Sequence, residues 1–199
     1  MNKSGNENRS VRSTKKKLKE CLISLLHERP INEISVKELT ELADVNRGTF
    51  YFHYEDIYAL MREMEDSFFE EFSLAMDSCL PTVNTARSYL LQVFTVVGQN
   101  SELCGILLGK HGDMHFLEKI YDFLNEKCSF IWTSVADLPD RGGDEPDRNK
   151  VKLYNSFILN GCIGMVKYWL ENGMKETPDD ITDLALASIV SSARAYNII

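Results

Sequence analysis

The sequence lacks any apolar run long enough to span a membrane. No stretch of its 199 residues approaches the ~18 consecutive apolar residues that a transmembrane helix needs. The basic and polar residues 1–19 are not followed by an apolar segment, so the pattern of a secretory signal is missing as well. We therefore expect a cytoplasmic protein with no membrane partner.

The motifs of metal binding and catalysis are also missing. The five cysteines are widely spaced without a CxxC pair, and the four histidines form no HExxH motif. His111 and His115 are four residues apart, but Gly112 between them disfavours one firm helix. There is no GxSxG sequence, no glycine-rich phosphate loop and no local pair of nucleophile and base. We expect reduced thiols, no metal, no cofactor and no enzyme activity.

Alternating apolar and polar residues, the pattern of a half-buried strand, are nearly absent, whereas helical spacing recurs along the chain. This predicts an all-α fold with a flexible basic tail over residues 1–12, a three-helix domain over 13–55 and a larger helical domain over 56–199. Asp137–Asn149, with two prolines, two glycines and five acidic residues, is predicted to be an exposed loop. The predicted helices cover residues 14–29, 35–43, 47–54, 56–79, 85–98, 101–108, 114–136, 151–172 and 178–196.

Acidic residues outnumber basic residues in the whole chain, which disfavours a nucleic-acid binder. The distribution of charge along the chain changes this interpretation. The formal net charge is −8, from 22 Lys and Arg against 30 Asp and Glu. Residues 1–54 carry 10 basic and 7 acidic residues, a net charge of +3, and residues 55–199 carry the other 12 and 23, a net charge of −11. A basic front on an acidic body is typical of a protein in which one small part meets phosphate, although a solvated tail has the same composition.

Residues 34–54 are the most informative segment. Ser35 and Glu38 have the spacing of a capping box, which predicts the start of a short helix. The sequence Asp44-Val45-Asn46 breaks that helix, and Asn46 is suited to cap the next one. Two short helices joined by a tight turn, after one longer helix, form a helix-turn-helix unit. The apolar residues expected where these helices cross are Val36, Leu39, Ala43, Val45 and Phe50.

The second short helix, Arg47–Tyr54, has one face suited to the core and another suited to DNA. Phe50 and Tyr54 are four residues apart and are predicted to face inward. The opposite face then holds residues that can contact phosphates or base edges, and the alternative is a pair of amphipathic helices that merely pack. Lys15 could equally lie on a solvated helix face. The predicted DNA-binding residues are Lys15, Ser35, Lys37, Asn46, Arg47, Gly48, Thr49, Tyr51, Phe52 and His53.

On these residues the segment resembles the helix-turn-helix of the tetracycline-repressor (TetR) family. The family pattern is matched by Ile34, Ser35, Val36, Leu39, Ala43, Val45, Asn46, Gly48, Thr49, Phe50, Tyr51, His53 and Tyr54. Two residues depart from it. Asp44 replaces the usual turn glycine, which we expect to cost little because Asp tolerates a left-handed backbone. Ile57 replaces a lysine that many members place at the start of the fourth helix, so that phosphate contact is in doubt.

The body is similar to one branch of the family, the regulators and coactivators of dihydroxyacetone kinase operons. The similarity lies in residues 107–112 and in Gly164–Met174, followed by Thr177-Pro178. The resemblance implies a DNA-binding transcriptional repressor that binds a palindromic operator on double-stranded DNA and responds to a small-molecule effector. The alternative is a coactivator of the same fold, which binds a ligand or a protein partner without an effector of its own.

The last two helices are predicted to form a homodimer interface. Residues 157–170 are apolar nearly all round, and an element buried on every side of so small a body indicates a partner surface. The small residues of this segment and of the last helix favour close helix approach. The predicted interface residues are Phe157, Gly161, Met165, Trp169, Ile181, Leu184, Ser188, Ile189 and Ser192.

A ligand cavity is predicted between the helices of residues 85–136 and Val151–Asn172, coupled to the DNA-binding domain through the helix over 56–79. A mostly apolar enclosure with few polar groups is typical of an orienting pocket. The alternative is that side chains fill the same space. The predicted ligand-binding residues are Gln92, Cys104, His111, His115 and Asn155.

Overall fold

A computed structural model describes residues 4–77, 85–110, 114–136 and 148–196. This part of the chain contains helices and no β-strand, and the predicted all-α fold is confirmed. None of its helices is both long and apolar enough to cross a bilayer, and it holds no cluster of three residues able to bind a metal ion. The helices are α1 (Ser4–Glu28), α2 (Val36–Leu42), α3 (Arg47–His53), α4 (Ile57–Asp77), α5 (Thr85–Gln99), α6 (Ser101–Leu107), α7 (Met114–Ala136), α8 (Arg148–Glu171) and α9 (Pro178–Ala195).

The first and eighth helices begin earlier than the sequence predicts. Helix α1 already includes residues 4–12, which were expected to be a flexible tail. No proline interrupts the chain before Pro30, so basic residues that read as a solvated tail can continue the helix. Helix α8 begins at Arg148, inside the predicted loop, and the rest of that loop, 137–147, lies outside the described residues.

Pro30 ends α1, as predicted, but it is followed by a short 3-10 helix, Ile31–Glu33, that the sequence pattern did not predict. Glu33 N donates to Pro30 O at 3.0 Å, and Ile34 N donates to Ile31 O at 3.1 Å. This tight turn brings the chain to the start of α2.

The described residues divide into two compact units, the first made of 4–70 with 106–110 and the second of 71–77, 85–105, 114–136 and 148–196. The core of the first unit comes from one face of α1, from the inner faces of α2 and α3, and from α4. Its fully or nearly fully buried residues include Leu18, Leu22, Leu25, Leu26, Ile34, Leu39, Ala43, Phe50, Tyr54, Leu60 and Met64. This core fixes the angle at which α3 lies against the longer helices.

The second unit is built around contacts of α5 with α8 and α9, and of α7 with α8. Trp169 on α8 packs edge-to-face on Phe94 of α5, with ring centroids 6.1 Å apart, and its Nε1 donates to Glu176 O at 3.0 Å. A Cβ at Gly98 would come within 3.2 Å of the Trp169 ring, so a glycine at this position lets the indole approach α5. Tyr121 on α7 donates to Ser156 on α8 at 3.1 Å.

Helices α8 and α9 are joined by a buried tyrosine. The Tyr154 hydroxyl donates to Ile189 O at 2.5 Å and lies 2.9 Å from Ser192 Oγ. Helix α8 ends at Glu171, and Gly173, two residues further on, has a left-handed φ of 79°, the conformation that often ends a helix. Thr177 then begins α9 with a capping box in which Thr177 and Asp180 each satisfy the backbone N–H of the other.

Candidate nucleic-acid interface

The start of α2 is fixed by Ser35, whose Oγ accepts from Glu38 N at 3.2 Å. The predicted N-cap is therefore present, but the reciprocal half of the capping box is not, because the Glu38 carboxylate pairs with Arg29 instead. Arg29 directly precedes Pro30, and its guanidinium donates to the carboxylate of Glu38, nine residues further along the chain. Local helix spacing does not reveal a contact of this kind. Lys37 is exposed and lies 3.9 Å from Glu41 on the same helix.

Asp44 makes the turn between α2 and α3. Its φ of 52° is left-handed, as expected of the residue that takes the place of the usual turn glycine. Val45 N donates to Thr40 O at 2.9 Å, and Asp44 N donates to Glu41 O at 3.3 Å. These two bonds form a Schellman motif, which satisfies the last carbonyls of α2 and starts α3 in a new direction.

Asn46 caps α3 with its side chain. Its Oδ1 accepts from Gly48 N at 2.7 Å, and its own φ and ψ are extended. The sequence predicted both this cap and a DNA contact for Asn46. In the structure the side-chain oxygen of Asn46 accepts the capping hydrogen bond. A Cβ at Gly48 would lie 3.1 Å from that same oxygen, so a larger residue at 48 would press on the cap.

The body of α3 separates a buried face from an exposed one. The rings of Phe50 and Tyr54 lie in the core with centroids 5.6 Å apart, as their spacing predicts. Phe52 is 81% exposed and Tyr51 is 58% exposed, although both are large apolar side chains. The exposed residues of α3 are Arg47, Gly48, Thr49, Tyr51 and Phe52, with His53 half-buried at their edge.

Lys15 is held inside the first unit. Its Nζ lies 2.6 Å from Glu63 Oε2 and 5.2 Å from the centroid of the Tyr54 ring. The sequence predicted a DNA contact for Lys15, whereas the structure places its charge against α4. Glu63 was not singled out from the sequence, because its partner is 48 residues away and no helical spacing connects the two.

Other cations of α1 remain open to solvent. Arg9, Lys16 and Lys17 are exposed, and Lys16 pairs with its neighbour Glu20 on the same helix at 3.6 Å. Arg9 and Lys17 line an open groove of about 460 Å³ between α1 and the turn at Asp44. By contrast, Ile57 is buried in the core and offers no charge to a phosphate.

The predicted dimer residues fall into three groups in the second unit. Phe157, Gly161, Leu184 and Ser188 are exposed, and a Cβ at Gly161 would meet nothing within 4 Å. Met165, Ile189 and Ser192 are half-buried. Trp169 and Ile181 are buried inside their own chain, which corrects their prediction as interface residues. Apolar spacing alone did not distinguish the inward face of α8 from its outward face.

The predicted ligand-binding residues are also dispersed. Cys104 and Asn155 are buried, Gln92 is half-buried and His115 is exposed on α7. Asn155 Oδ1 has no hydrogen-bond partner, which is unusual for a buried amide oxygen. His111 lies outside the described residues.

Comparison with known proteins identifies relatives of both the sequence and the fold. A TetR C-terminal family model described as "Transcriptional regulator C-terminal region" matches residues 84–190. The chain is 32% identical over 189 residues to the uncharacterized HTH-type transcriptional regulator YxbF of Bacillus subtilis, which covers 92% of this chain and 46% of that protein. The chain therefore spans about half the length of this curated relative.

Three solved structures share the fold. A TetR transcriptional regulator from Streptococcus agalactiae superposes with a TM-score of 0.62 at 24% identity, covering 94% of this chain and 98% of that one. The fatty acid degradation regulator FadR from Bacillus halodurans gives 0.62 at 12% identity, covering 87% and 96%. The dihydroxyacetone kinase operon activator DhaS gives 0.52 at 11% identity, covering 92% and 97%. At these identities the likeness is one of fold.

Proposed function

The chain belongs to the TetR family of transcriptional regulators, and from that premise we propose that it binds a roughly two-fold symmetric DNA site as a homodimer. In this proposal residues 13–55 form the DNA-binding domain and residues 56–199 the regulatory and dimerisation domain. Each α3 enters a major groove. The observation that carries the proposal is the exposed row on α3, with two large aromatic side chains in solvent above a fully buried Phe50.

The chemistry of that row suits a duplex. Tyr51 and Arg47 can donate to phosphate oxygens, Thr49 offers a hydroxyl and a methyl, and Phe52 offers an apolar surface for a thymine methyl. The exposed cations of α1 add positive charge in the same unit, and their effect is long-range attraction that weakens with salt. A duplex that covers Phe52 would remove its apolar ring from water, which favours binding.

Dimerisation is supported by an exposed apolar stripe on α8. Leu153, Phe157 and Tyr168 are exposed, and they follow one face of the helix together with the two open glycines 161 and 164. Leu184 and Ser188 continue the exposed surface on α9, which Tyr154 ties to α8. In a symmetric pair the α8 and α9 helices of both protomers would form a four-helix interface.

We further propose that the protein is a repressor controlled by a small molecule held in the second unit. Helix α4 contributes residues to both units, so an effector that displaces it could change DNA affinity with ~1–3 kcal/mol of coupling. The buried, unpartnered Asn155 oxygen supports a ligand that donates a hydrogen bond. DhaS is named as an activator, and a transcription assay from the bound promoter distinguishes repression from activation.

The DNA proposal is tested by selecting duplexes from a random pool with the purified protein and measuring affinity for the selected sequence. We expect a palindromic consensus and a discrete, salt-sensitive complex. Tyr51→Ala should weaken binding to all sequences, by about 10-fold, because it removes a phosphate contact. Phe52→Ala should change the preferred base at one position in each half-site, at a cost of ~1–3 kcal/mol.

Leu42→Ala serves as the control, because this exposed apolar side chain lies on α2 outside the row on α3. It should leave both affinity and base preference unchanged. If the protein with Thr49, Tyr51 and Phe52 all replaced by alanine still binds the selected duplex as the parent does, the proposal is wrong.

A further inference from the structure

Glu63 lies in the second turn of α4, yet its carboxylate contacts two other helices of the first unit. Oε2 accepts from Lys15 Nζ at 2.6 Å, and Oε1 lies 3.0 Å from Lys19 Nζ, both on α1. Oε1 also accepts from the Tyr54 hydroxyl at 3.1 Å. Tyr54 is the C-cap residue of α3, so one carboxylate joins α1, α3 and α4.

The three donors that converge on Glu63 are largely, but not fully, withdrawn from solvent. Tyr54 is buried, and the side chains of Lys15 and Lys19 are about two-thirds buried. Burial of Glu63 raises its pKa, but the hydrogen bonds from Lys15 and Lys19 outweigh that effect and lower the pKa to about 2. The carboxylate is therefore ionised at neutral pH, when it accepts most strongly.

The contact to Tyr54 bears directly on the surface of α3. Tyr54 N donates to Phe50 O at 2.9 Å, and the two rings pack against each other. Phe50 also packs edge-to-face on Tyr51, with centroids 5.5 Å apart. A displacement of the Tyr54 ring would thus be passed through Phe50 to an exposed residue of the proposed DNA surface.

We infer that Glu63 is a positioning residue for DNA binding, which fixes the C-terminal end of α3 through the Tyr54 hydroxyl. The inference rests on the proposed function. A different role would be to neutralise Lys15 and Lys19 and so keep them from phosphate. The two roles predict opposite effects of removing the charge, because freed lysines would tighten binding whereas a loosened α3 would weaken it.

The test compares Glu63→Gln, Tyr54→Phe and the double variant with Glu20→Gln in the 199-residue chain. Glu20 pairs with exposed Lys16 on α1, so its replacement makes the same change of net charge in the same unit without touching α3. Affinity is measured for the duplex that the parent protein selects from a random pool, at several salt concentrations. Thermal unfolding and the fraction of active protein are measured on the same samples.

We expect Glu63→Gln and Tyr54→Phe each to weaken binding by about 10-fold relative to Glu20→Gln, and the double variant to bind no more weakly than the weaker single one. Non-additivity of this kind is the mark of two groups acting through one contact. The slope of affinity against salt should match that of Glu20→Gln, because no phosphate contact is gained or lost.

Tighter binding by Glu63→Gln with a steeper salt slope would overturn the inference, as would additive losses. Tyr54→Phe keeps the ring and the core, so an unchanged affinity for this variant would overturn it even if Glu63→Gln failed to fold. If the parent selects no duplex, the proposed function fails and the inference fails with it. If the parent selects a duplex and the variants match Glu20→Gln, only the inference fails.

Discussion

Asp44 sits in a backbone conformation that most L-residues avoid. Its φ of 52° brings Cβ close to the following carbonyl, at a cost of ~1–2 kcal/mol for an ordinary residue. Aspartate reduces this cost because its short polar side chain tolerates the left-handed region. The family motif predicted the turn at this residue, and its left-handed φ explains why a glycine is usual there.

A β-branched residue at this position should destabilise the first unit. We expect Asp44→Val to lower the free energy of unfolding by about 1–2 kcal/mol relative to Asp44→Gly, since glycine adopts the left-handed region without strain. Urea denaturation of the two variants measures the difference. Equal stability of the valine and glycine variants would contradict the strain assigned to this turn.

Glu63 gives the protein a defined dependence on acid. Its pKa is about 2 in the folded protein against an ordinary value of 4.5, so ionisation favours folding. This stabilisation is fully present above pH 4.5 and is lost as the pH falls toward 2. The parent protein should therefore be more stable than Glu63→Gln at pH 6, and the gap should narrow as the pH falls below about 4.5. The free energy of unfolding of both proteins is measured at each pH. A difference between them that stays constant across this pH range would contradict the ion pairing.

At the scale of the helix, local signals predicted most helix ends. Ser35 and Asn46 were each suited to cap a helix by residue type, and each does so. A capping side chain bonds to a backbone group only two or three residues away. Helix caps can therefore be predicted from the local sequence. The start of α1 was misjudged because basic residues form either a solvated tail or a solvated helix, and composition does not distinguish the two.

The contacts between helices could not be predicted in the same way. Glu38 had the right spacing to complete a capping box, yet Arg29 competes for its carboxylate after the turn at Pro30. The pairing of Glu63 with Lys15 depends on how α1 and α4 pack, which no local spacing encodes. For the candidate site, therefore, the exposed face of α3 was predictable and the residues that hold it in place were not.

Asn46 allows the roles of helix cap and DNA contact to be separated. Asn46→Ala should lower the free energy of unfolding by about 1 kcal/mol, because Gly48 N loses its acceptor. Asn46→Ser keeps a capping oxygen and should recover most of that loss. DNA affinity should follow stability in both variants. A serine variant that is stable but binds DNA poorly would show that the amide itself contacts the duplex.

At the scale of the whole molecule, α8 has an exposed apolar face, and packing within a single chain does not explain it. Phe157 is 65% exposed and stands among open glycines. A symmetric dimer would bury it twice, at ~1.5–3 kcal/mol for each phenylalanine removed from water. We expect Phe157→Glu to raise the dimer dissociation constant at least about 100-fold, as measured by sedimentation equilibrium.

Leu74→Glu provides the matched control. Leu74 lies on α4 and is 64% exposed, and its replacement introduces the same charge as Phe157→Glu. This variant should remain a dimer. Dissociation of both variants would indicate a general effect of added charge, and dissociation of neither would place the interface elsewhere.

The buried thiol of Cys104 can report how often the second unit opens. The thiol is 1% exposed, and burial, followed by the charge of Glu71, raises its pKa to about 12. Alkylating reagents attack the thiolate, of which about one part in ten thousand is present at pH 8 under such a pKa. Cys104 should thus react with iodoacetamide only when the unit opens, and the rate read by mass spectrometry counts those openings. A metabolite that slows the modification of this one cysteine would be found without any knowledge of the operator.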